Sequence, residues 1–565
     1  MSKKLRRILV VVSLVLVALL LQSSNWPVTA QEADSAPLVV GEIRDGQNVP
    51  INHAVVSLVD GNSGDILSES QTQPDGSYAL AAPAAIPDNL ELHIERTHFE
   101  TMVQTFTEIQ VSQLRAGETL AMPLLELSRQ ITPAFWVAAA VFLMVLVFIA
   151  SGGFHNTLAT LMGASLLYAF SYLGEQINEG LFIFDFERSL DYIDWNVIFL
   201  IMGMMIVIAV VENTGIFQWL AFFAYRVSGG RILLLLPILM LITGVASAFL
   251  DNVTTMLLMT PISVQIGLAL GINPLALLIP EVMASNVVGV STLVGTPTNI
   301  LIGSYGDISF NDFLLNLTPG VLLAFVGLVV YSWLTYRKEL SSAHEPSEVL
   351  VERLAERGQI RESGNLQKAG VVFAGMLVLF ITGERFHMLP SVTAIMGATA
   401  LMIWIRPDIE EMIEAVDWTT LVFFLSLFIV VGAVQEVGII SMIADVIGRL
   451  VGDNIVLAMV GVTIISAVLS TVVANIPFTA AMLPVVGFLS GTVPGATNKV
   501  LFYCLSVGSA MGGNGSLIGA SANMVTAGIA NSAGYRISYG YFLKKGFPAL
   551  LITVALALIW LLIHF

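Results

Sequence analysis

The amino-acid sequence predicts an all-α polytopic membrane protein with inverted-topology repeats, two re-entrant hairpins and two broken helices, preceded by a small β-sandwich held outside the membrane. Three observations lead there. Hydrophobic residues make up 56% of the 565 and charged residues only 12%, and apolar runs long enough to span a bilayer recur from Ile131 onward. The second half of the chain repeats the polar interruptions of the first, in register. Residues 36–126 instead alternate apolar and polar positions between short turns.

The chain opens MSKKLRRILVVVSLVLVALLLQSSNWPVTAQE. Lys3, Lys4, Arg6 and Arg7 precede an apolar stretch at 8–21, and Val28-Thr29-Ala30 offers small residues for cleavage, so 1–30 reads as a signal peptide. An uncleaved anchor is the alternative; either one exports the segment beyond residue 30. Segments such as PLVVGEIRDG, HAVVSLVDGNSGDIL and SYALAAP are short strands punctuated by DG, NSGD and PDGSY turns, which predicts an antiparallel sandwich of about 90 residues over 36–126. Residues 31–130 hold fifteen Asp and Glu against four Lys and Arg, so this segment is a poor partner for nucleic acid or anionic lipid. The single cysteine, Cys504, excludes intrachain disulfides and a thiolate metal cluster.

The membrane part divides into a first repeat (131–336), a charged linker (337–368) and a second repeat (369–565). Starting outside after the exported domain, the span count places twelve Lys and Arg on inner loops and four, Arg188, Arg385, Arg449 and Lys499, on outer ones. That orientation predicts a multi-pass protein of the cell membrane with its N-terminal domain extracytoplasmic. The linker carries six basic and six acidic residues and reads as a solvated hinge.

A shift of 223 residues lays Asp194-Trp195 on Asp417-Trp418 and holds without a gap to Pro261 on Pro484. After a one-residue slip, STLVGTPTN (291–299) meets GSLIGASAN (515–523). The charge count runs the two copies in opposite directions, as in many secondary transporters, where broken helices meet near the midplane. Each copy offers two interruptions: AFLDNVTT and GTPTN in the first, ANIPF and GNGSLIGASAN in the second. Glycines can open the backbone there, amides and hydroxyls can coordinate a small ion, and helix N-termini behind each break favour an anion while freed carbonyls favour a cation. The candidate binding residues are Asp251, Asn252, Thr254, Thr255, Ser285, Asn286, Thr292, Gly295, Thr296 and Asn299 in the first repeat. Those in the second are Asn475, Thr479, Asn514, Ser516, Gly519, Ser521 and Asn523. Close helix packing is the competing account of the small residues. Asp251 reads equally as a coupling carboxylate and as a helix cap. Glu281 joins the candidates as an ionisable group inside an apolar segment, with a structural hydrogen bond as its alternative. Glu212, Glu436, Asp194 and Asp417 read as cap or interface residues. No metal site and no cofactor is expected beyond a coupling ion, H⁺ or Na⁺. H-E-x-x-H and G-x-S-x-G are absent, so no enzyme is predicted.

Two resemblances sharpen this reading. Val39, Gly41, Ile43, Asp45-Gly46, then Ala54-Val55-Val56, Leu58, Ser63-Gly64, and Thr72, Pro74-Asp75-Gly76-Ser77-Tyr78 and Leu80 resemble the carboxypeptidase regulatory-like domain, which implies a spacer or adhesion module. SAFLDNVTTMLLMTP, EVMASNVVGVSTLVGTPTN, NIPFTAAMLPVV and MGGNGSLIGASANMVTAGIA resemble the ion transporter superfamily, nearest its arsenite permease, P-protein and sodium–proton antiporter branch with a citrate transporter-like domain. That resemblance implies a scaffold part and a moving part, hairpin tips at 251–255 and 475–479, and a homodimer. It implies a secondary active transporter of a small inorganic ion or anion, coupled to H⁺ or Na⁺ and working by elevator-like alternating access. Dicarboxylate-carrying relatives have Ser-Asn-Thr at both tips and this chain has it at neither; Ala474 stands where many relatives carry Asp. An ion channel on the same scaffold and a dicarboxylate or citrate-type transporter are the alternative functions.

Overall fold

The computed structural model describes residues 37–46, 49–83, 85–151, 153–229, 231–341, 356, 359–360 and 362–565. The predicted signal peptide and much of the linker lie outside these residues. The chain divides into two units, 1–130 and 131–565.

The first unit is a two-sheet sandwich. Strands β1 (Leu38–Asp45), β4 (Ser77–Ala81), β7 (Leu120–Ala121) and β8 (Leu125–Leu127) form one sheet; β2 (Val55–Asp60), β3 (Ile66–Gln71), β5 (Leu90–Glu95) and β6 (Met102–Thr105) form the other. Alternate residues point inward, so Val39, Ile43, Val56, Leu58, Leu80, Leu90, Leu92 and Ile94 make the core. The expectation of a wholly antiparallel sandwich is corrected in one place. β1 runs parallel to both β7 and β8. The cause is helix α1 (Glu108–Arg115), closed by a Thr107–Gln110 capping box, which carries the chain across before β7 and returns it alongside β1 in the same direction. Gly41 faces Tyr78 across β1 and β4, and a methyl group there would come within 2.6 Å of the tyrosine oxygen, which accounts for the glycine.

The second unit is helical. Among the described residues eleven helices are long and apolar enough to cross a membrane. The first repeat runs α2 (Pro133–Ser151), α3 (Asn156–Ala169, extended to Gly174 by a π turn), α4 (Phe186–Leu190), α5 (Trp195–Asn213), α6 (Ile216–Val227), α7 (Ile232–Phe249), α8 (Asn252–Ala269), α9 (Leu275–Val288), α10 (Pro297–Tyr305) and α11 (Phe310–Ser341). The second runs α12 (Ser363–Thr382), α13 (Pro390–Ile405), α14 (Ile409–Glu414), α15 (Trp418–Glu436), α16 (Ile439–Val451), α17 (Ile455–Val472), α18 (Asn475–Thr492), α19 (Val500–Gly512), α20 (Ser521–Ser532) and α21 (Tyr539–His564).

Asp194 and Asp417 cap α5 and α15 by accepting the backbone N–H three residues on, and Gly215 and Gly438 turn the chain in the left-handed region at equivalent places. Behind those glycines lie α6 and α16, which reading apolar runs misses: at 12 and 13 residues they are too short to cross a bilayer. Packing obeys the same two-fold relation. α3 packs on α15 while α13 packs on α5; α7 packs on α9 as α17 does on α19. Each hairpin's returning arm lies against the other repeat's half-helix, α8 on α20 and α18 on α10. The repeats are therefore interlocked rather than adjacent.

Candidate functional site

Each broken helix opens at the predicted place. After α9 the chain passes through a 3₁₀ turn at Gly289–Ser291 and an extended segment before α10; after α19 it passes through Gly513–Gly515 before α20. The hairpin ends are fastened to these breaks in the same way in both repeats. The Thr292 hydroxyl donates to the Ala248 carbonyl, and the Ser516 hydroxyl to the Thr471 carbonyl at 2.5 Å. Gly295 and Gly519 allow this approach, since a methyl group on the first would sit 2.3 Å from the Gly289 oxygen and on the second 2.9 Å from the Gly513 oxygen. Thr296 caps α10 through the Asn299 N–H at 3.3 Å. Asn299 closes its own break, donating to the Thr292 and Val290 carbonyls at 2.8 and 3.0 Å, and accepts from Ser506 of the other repeat at 2.6 Å. Asn523 does the same in the second break, donating to Gly513 and Ser516 carbonyls at 2.8 and 2.9 Å.

Four of the candidate asparagines meet in one buried network. Asn252 at the first tip donates to Asn286 Oδ1 at 2.9 Å; Asn286 Nδ2 donates to Asn514 Oδ1 at 2.9 Å and Asn523 Oδ1 at 3.1 Å. The first repeat's tip is thereby joined, through α9, to the second repeat's break. Asn475, at the second tip, is held by its backbone N–H on the Gly519 carbonyl at 3.2 Å, and the Thr479 hydroxyl turns back onto the Asn475 carbonyl at 2.7 Å.

Both tips open into one cavity of about 460 Å³. Asp251, Val253 and Thr254 line it from the first hairpin, Ala474, Ile476 and Pro477 from the second; Pro297 and Ser521 line it from the breaks. The inverted halves enter from opposite faces, so one cavity shared by both turns places both turns inside the membrane's thickness. Of the predicted residues, Asp251, Thr254 and Ser521 reach the cavity wall; the asparagines lie behind it, and Thr255 and Glu281 are buried among helices away from it. Asp251 caps α8, accepting from Val253 and Thr254 N–H at 2.8 and 3.0 Å and from the Thr254 hydroxyl. It is thus both a cap and a cavity wall.

Sequence reasoning did not place His155, Glu212 or Asp417 at the site, and these three join Asn156, Thr157, Thr419 and Thr420 in its polar lining. Asp417 caps α15 through the Thr420 N–H at 3.1 Å, and that capping reading concealed its second role. The available signal was their repeat mates: Glu212 corresponds to Gln435 and Asp417 to Asp194. No lysine or arginine is among the lining residues. Four helices, α8, α10, α18 and α20, begin at this region and bring their positive dipole ends to it. Asp251 and Thr296 cap the two from the first repeat; Ala474 and Ala520 leave those of the second without a side-chain cap.

A second cavity of about 90 Å³ is lined by the repeat mates of the first. Tyr192, Asp194, Leu301, Phe428, Val431, Gly432 and Gln435 line it, and Ala415, Asp417, Val525, Met205, Ile208, Ala209 and Glu212 line the larger one. Among the described residues no group of three His, Cys, Asp or Glu is placed to hold a metal ion.

A model of the citrate transporter family matches residues 143–496. The chain belongs to this family. An uncharacterized transporter of Mycobacterium bovis, Mb2703, is 36% identical over 431 residues, covering 76% of this chain and 98% of that one. An uncharacterized transporter of Synechocystis, slr0753, is 31% identical, covering 75% and 96%. The human P protein is 29% identical over 629 residues, covering 96% of this chain and 73% of that one. The crystal structure of the Alcanivorax borkumensis YdaH transporter aligns with a TM-score of 0.47 at 13% identity, covering 76% of this chain and 97% of that one. This member of the citrate transporter family is a multi-pass membrane transporter, and what it carries is a question for the cavity.

Proposed function

We propose that this chain is a secondary active transporter that carries a small inorganic ion between its two hairpin tips by elevator-like alternating access, coupled to H⁺ or Na⁺. The observation that carries the reading is the unequal pair of cavities built from equivalent residues of the two repeats. A two-fold related molecule has two equivalent ways to pack its moving part against its scaffold. One opens the Glu212–Asp417 cavity and shrinks the Asp194–Gln435 one; the other reverses them. By the charge orientation, the larger cavity here belongs to the inner face.

The chemistry of the wall supports a small ion over the citrate of the family's name. Recognition of a polycarboxylate ordinarily uses arginine forks, and this cavity offers Glu212, Asp251 and Asp417 instead. The positive dipole ends of α18 and α20, which no side chain caps, favour an oxygen-rich substrate, while Asp251 gives a cation its counter-charge. Glu212 and Asp417 on scaffold helices stay behind when the hairpins move, so Asp251 travels and they do not.

The test uses cysteines at Ile208→Cys and Val431→Cys, one at a time, with the buried Cys504 as the sole natural thiol. Membrane-impermeant maleimide is applied from each face of the vesicle, alongside a liposome flux screen across ions with and without Na⁺ and pH gradients. The two positions should label from opposite faces, each falling when the other rises as the transported ion and its gradient are changed. Labelling of both single-cysteine variants under every ion condition, with flux that does not saturate, would instead identify a channel.

A further inference from the structure

Glu281 has no role in the cavity, yet it is the more unusual carboxylate. It is fully buried on α9. Its Oε2 accepts from Ser263 on α8 at 2.8 Å and from Thr243 on α7 at 3.3 Å, while its Oε1 has no partner at all. It therefore bridges both arms of the first hairpin to the broken helix, with one oxygen unused.

An ionised carboxyl in that setting is costly unless something neutralises it. The neighbouring elements supply nothing. α7, α8 and α20 carry no titratable side chain. α11 carries Asp312, Tyr331, Tyr336, Arg337, Lys338 and Glu339; α19 carries Tyr503 and Cys504; α21 carries Tyr539, Tyr541, Lys544, Lys545 and His564. Glu281 interacts with none of them. A hard metal cation typically needs about six oxygen ligands and the room to hold them; a proton needs neither.

The second repeat shows that the acid is not required to hold these helices together. Ser470 clamps the Ser509 carbonyl at 2.6 Å as Ser247 clamps that of Ser285 at 3.0 Å, so the α7–α9 clamp recurs between α17 and α19. At the place of Glu281 stands Leu505, and at that of Ser263 stands Val486. Ser466, the mate of Thr243, keeps its hydroxyl buried without a partner. The packing was preserved and the carboxyl was kept on one side only. From Glu281 a seam of polar groups leads toward the cavity: Ser285 one turn along α9, bonded to Ser247 at 2.9 Å, then Asn286 and Asn252, next to Asp251.

We propose that Glu281 is a proton-binding site of the transport cycle, one per chain, set behind the substrate cavity and reporting on the first hairpin. The inference rests on the transporter reading only in naming the cycle, and its test needs no substrate. Purified full-length protein in liposomes is titrated with pH and followed by infrared difference spectroscopy. A carboxylic-acid C=O band should titrate in the wild type, vanish in Glu281→Gln and return at a shifted frequency in Glu281→Asp. Ser263→Ala, which removes the shorter hydrogen bond, should shift the band and guards against a Gln variant that does not accumulate. A band untouched by Glu281→Gln, or one present at every pH without titrating, overturns the proposal. A titrating band in a protein that moves no ion in the flux screen would refute the transporter reading and leave the proton site standing.

Discussion

Asn286 is the residue through which the two repeats hold each other at the site, and its removal has a calculable cost. The side chain makes three hydrogen bonds, one accepted from Asn252 and two donated to Asn514 and Asn523, and all four asparagines are buried. Asn286→Ala strands one donor and two acceptors where water does not reach. At about 1–3 kcal/mol for each of the three orphaned groups, the loss amounts to about 3–9 kcal/mol. That is a large share of a typical folding free energy, so the gentler Asn286→Ser accompanies it. Thermal unfolding in detergent, followed by tryptophan fluorescence, measures the loss, and the cycle with Asn523→Ala isolates the cross-repeat contact. Residues in one network should show a coupling energy of about 0.5–3 kcal/mol. If the two single losses add with no coupling, the network joins nothing, and the claim that the first tip is tied to the second break is wrong.

Two further outcomes come from local geometry. Gly295→Ala and Gly519→Ala should each abolish transport and lower the melting temperature, because the new methyl meets backbone carbonyls, whereas Gly528→Ala, with open space around it, should be neutral or stabilise α20 by about 0.5–1 kcal/mol; equal tolerance at all three sites in a melting and flux comparison would contradict the close approach. In the N-terminal β-sandwich, the Ser77 hydroxyl and N–H donate to Asp75 at 2.6 and 3.0 Å and hold its carboxyl below its ordinary value of 3.8. With the folded value depressed, that contribution is present at neutral pH and lost as pH falls through it, so Asp75→Ala should weaken hydrogen-exchange protection of the 73–78 turn at pH 7 and leave it unchanged in strong acid.

What the sequence made legible was whatever a repeat or a period writes down. The register from Asp194 to Pro261, laid on Asp417 to Pro484, located the caps, the left-handed glycines and both hairpin turns, and its continuation after the one-residue slip located both breaks, because each needs a residue type that physics restricts. α6 and α16 escaped because they are too short to register as spans. The parallel pairing of β1 with β7 escaped because strand direction depends on α1, whose apolar spacing is weak. At the site the limit was different. Asp417 and Glu212 looked like caps, and Asp417 is one; nothing in a one-dimensional pattern tells a carboxylate facing water from one facing a cavity assembled by residues 200 positions away. The asparagines were identified as binding groups, but most of their hydrogen-bonding capacity goes to one another and to backbone carbonyls.

The division of labour between the repeats explains why a duplicated fold would drift apart where it did. On the alternating-access reading, a moving part that must fit its scaffold in two related ways would keep the packing residues matched, and here the clamps, the cap aspartates, the break glycines and the asparagines Asn299 and Asn523 are matched. Three other acids are not. Asp251 faces Ala474, Glu281 faces Leu505 and Glu212 faces Gln435 across the pseudo-two-fold, and every one of these acids lies in the first repeat. The second repeat instead leaves two helix N-termini without side-chain caps at the same cavity. On that reading, symmetry in the packing would let the carrier stop in two places of similar energy, and asymmetry in the charge would make those two places different to a proton or an ion. A carrier with Asp251, Glu281 and Glu212 matched on both halves, as Asp194 and Asp417 are, would carry its counter-charge into each cavity alike and would have less with which to distinguish the two faces.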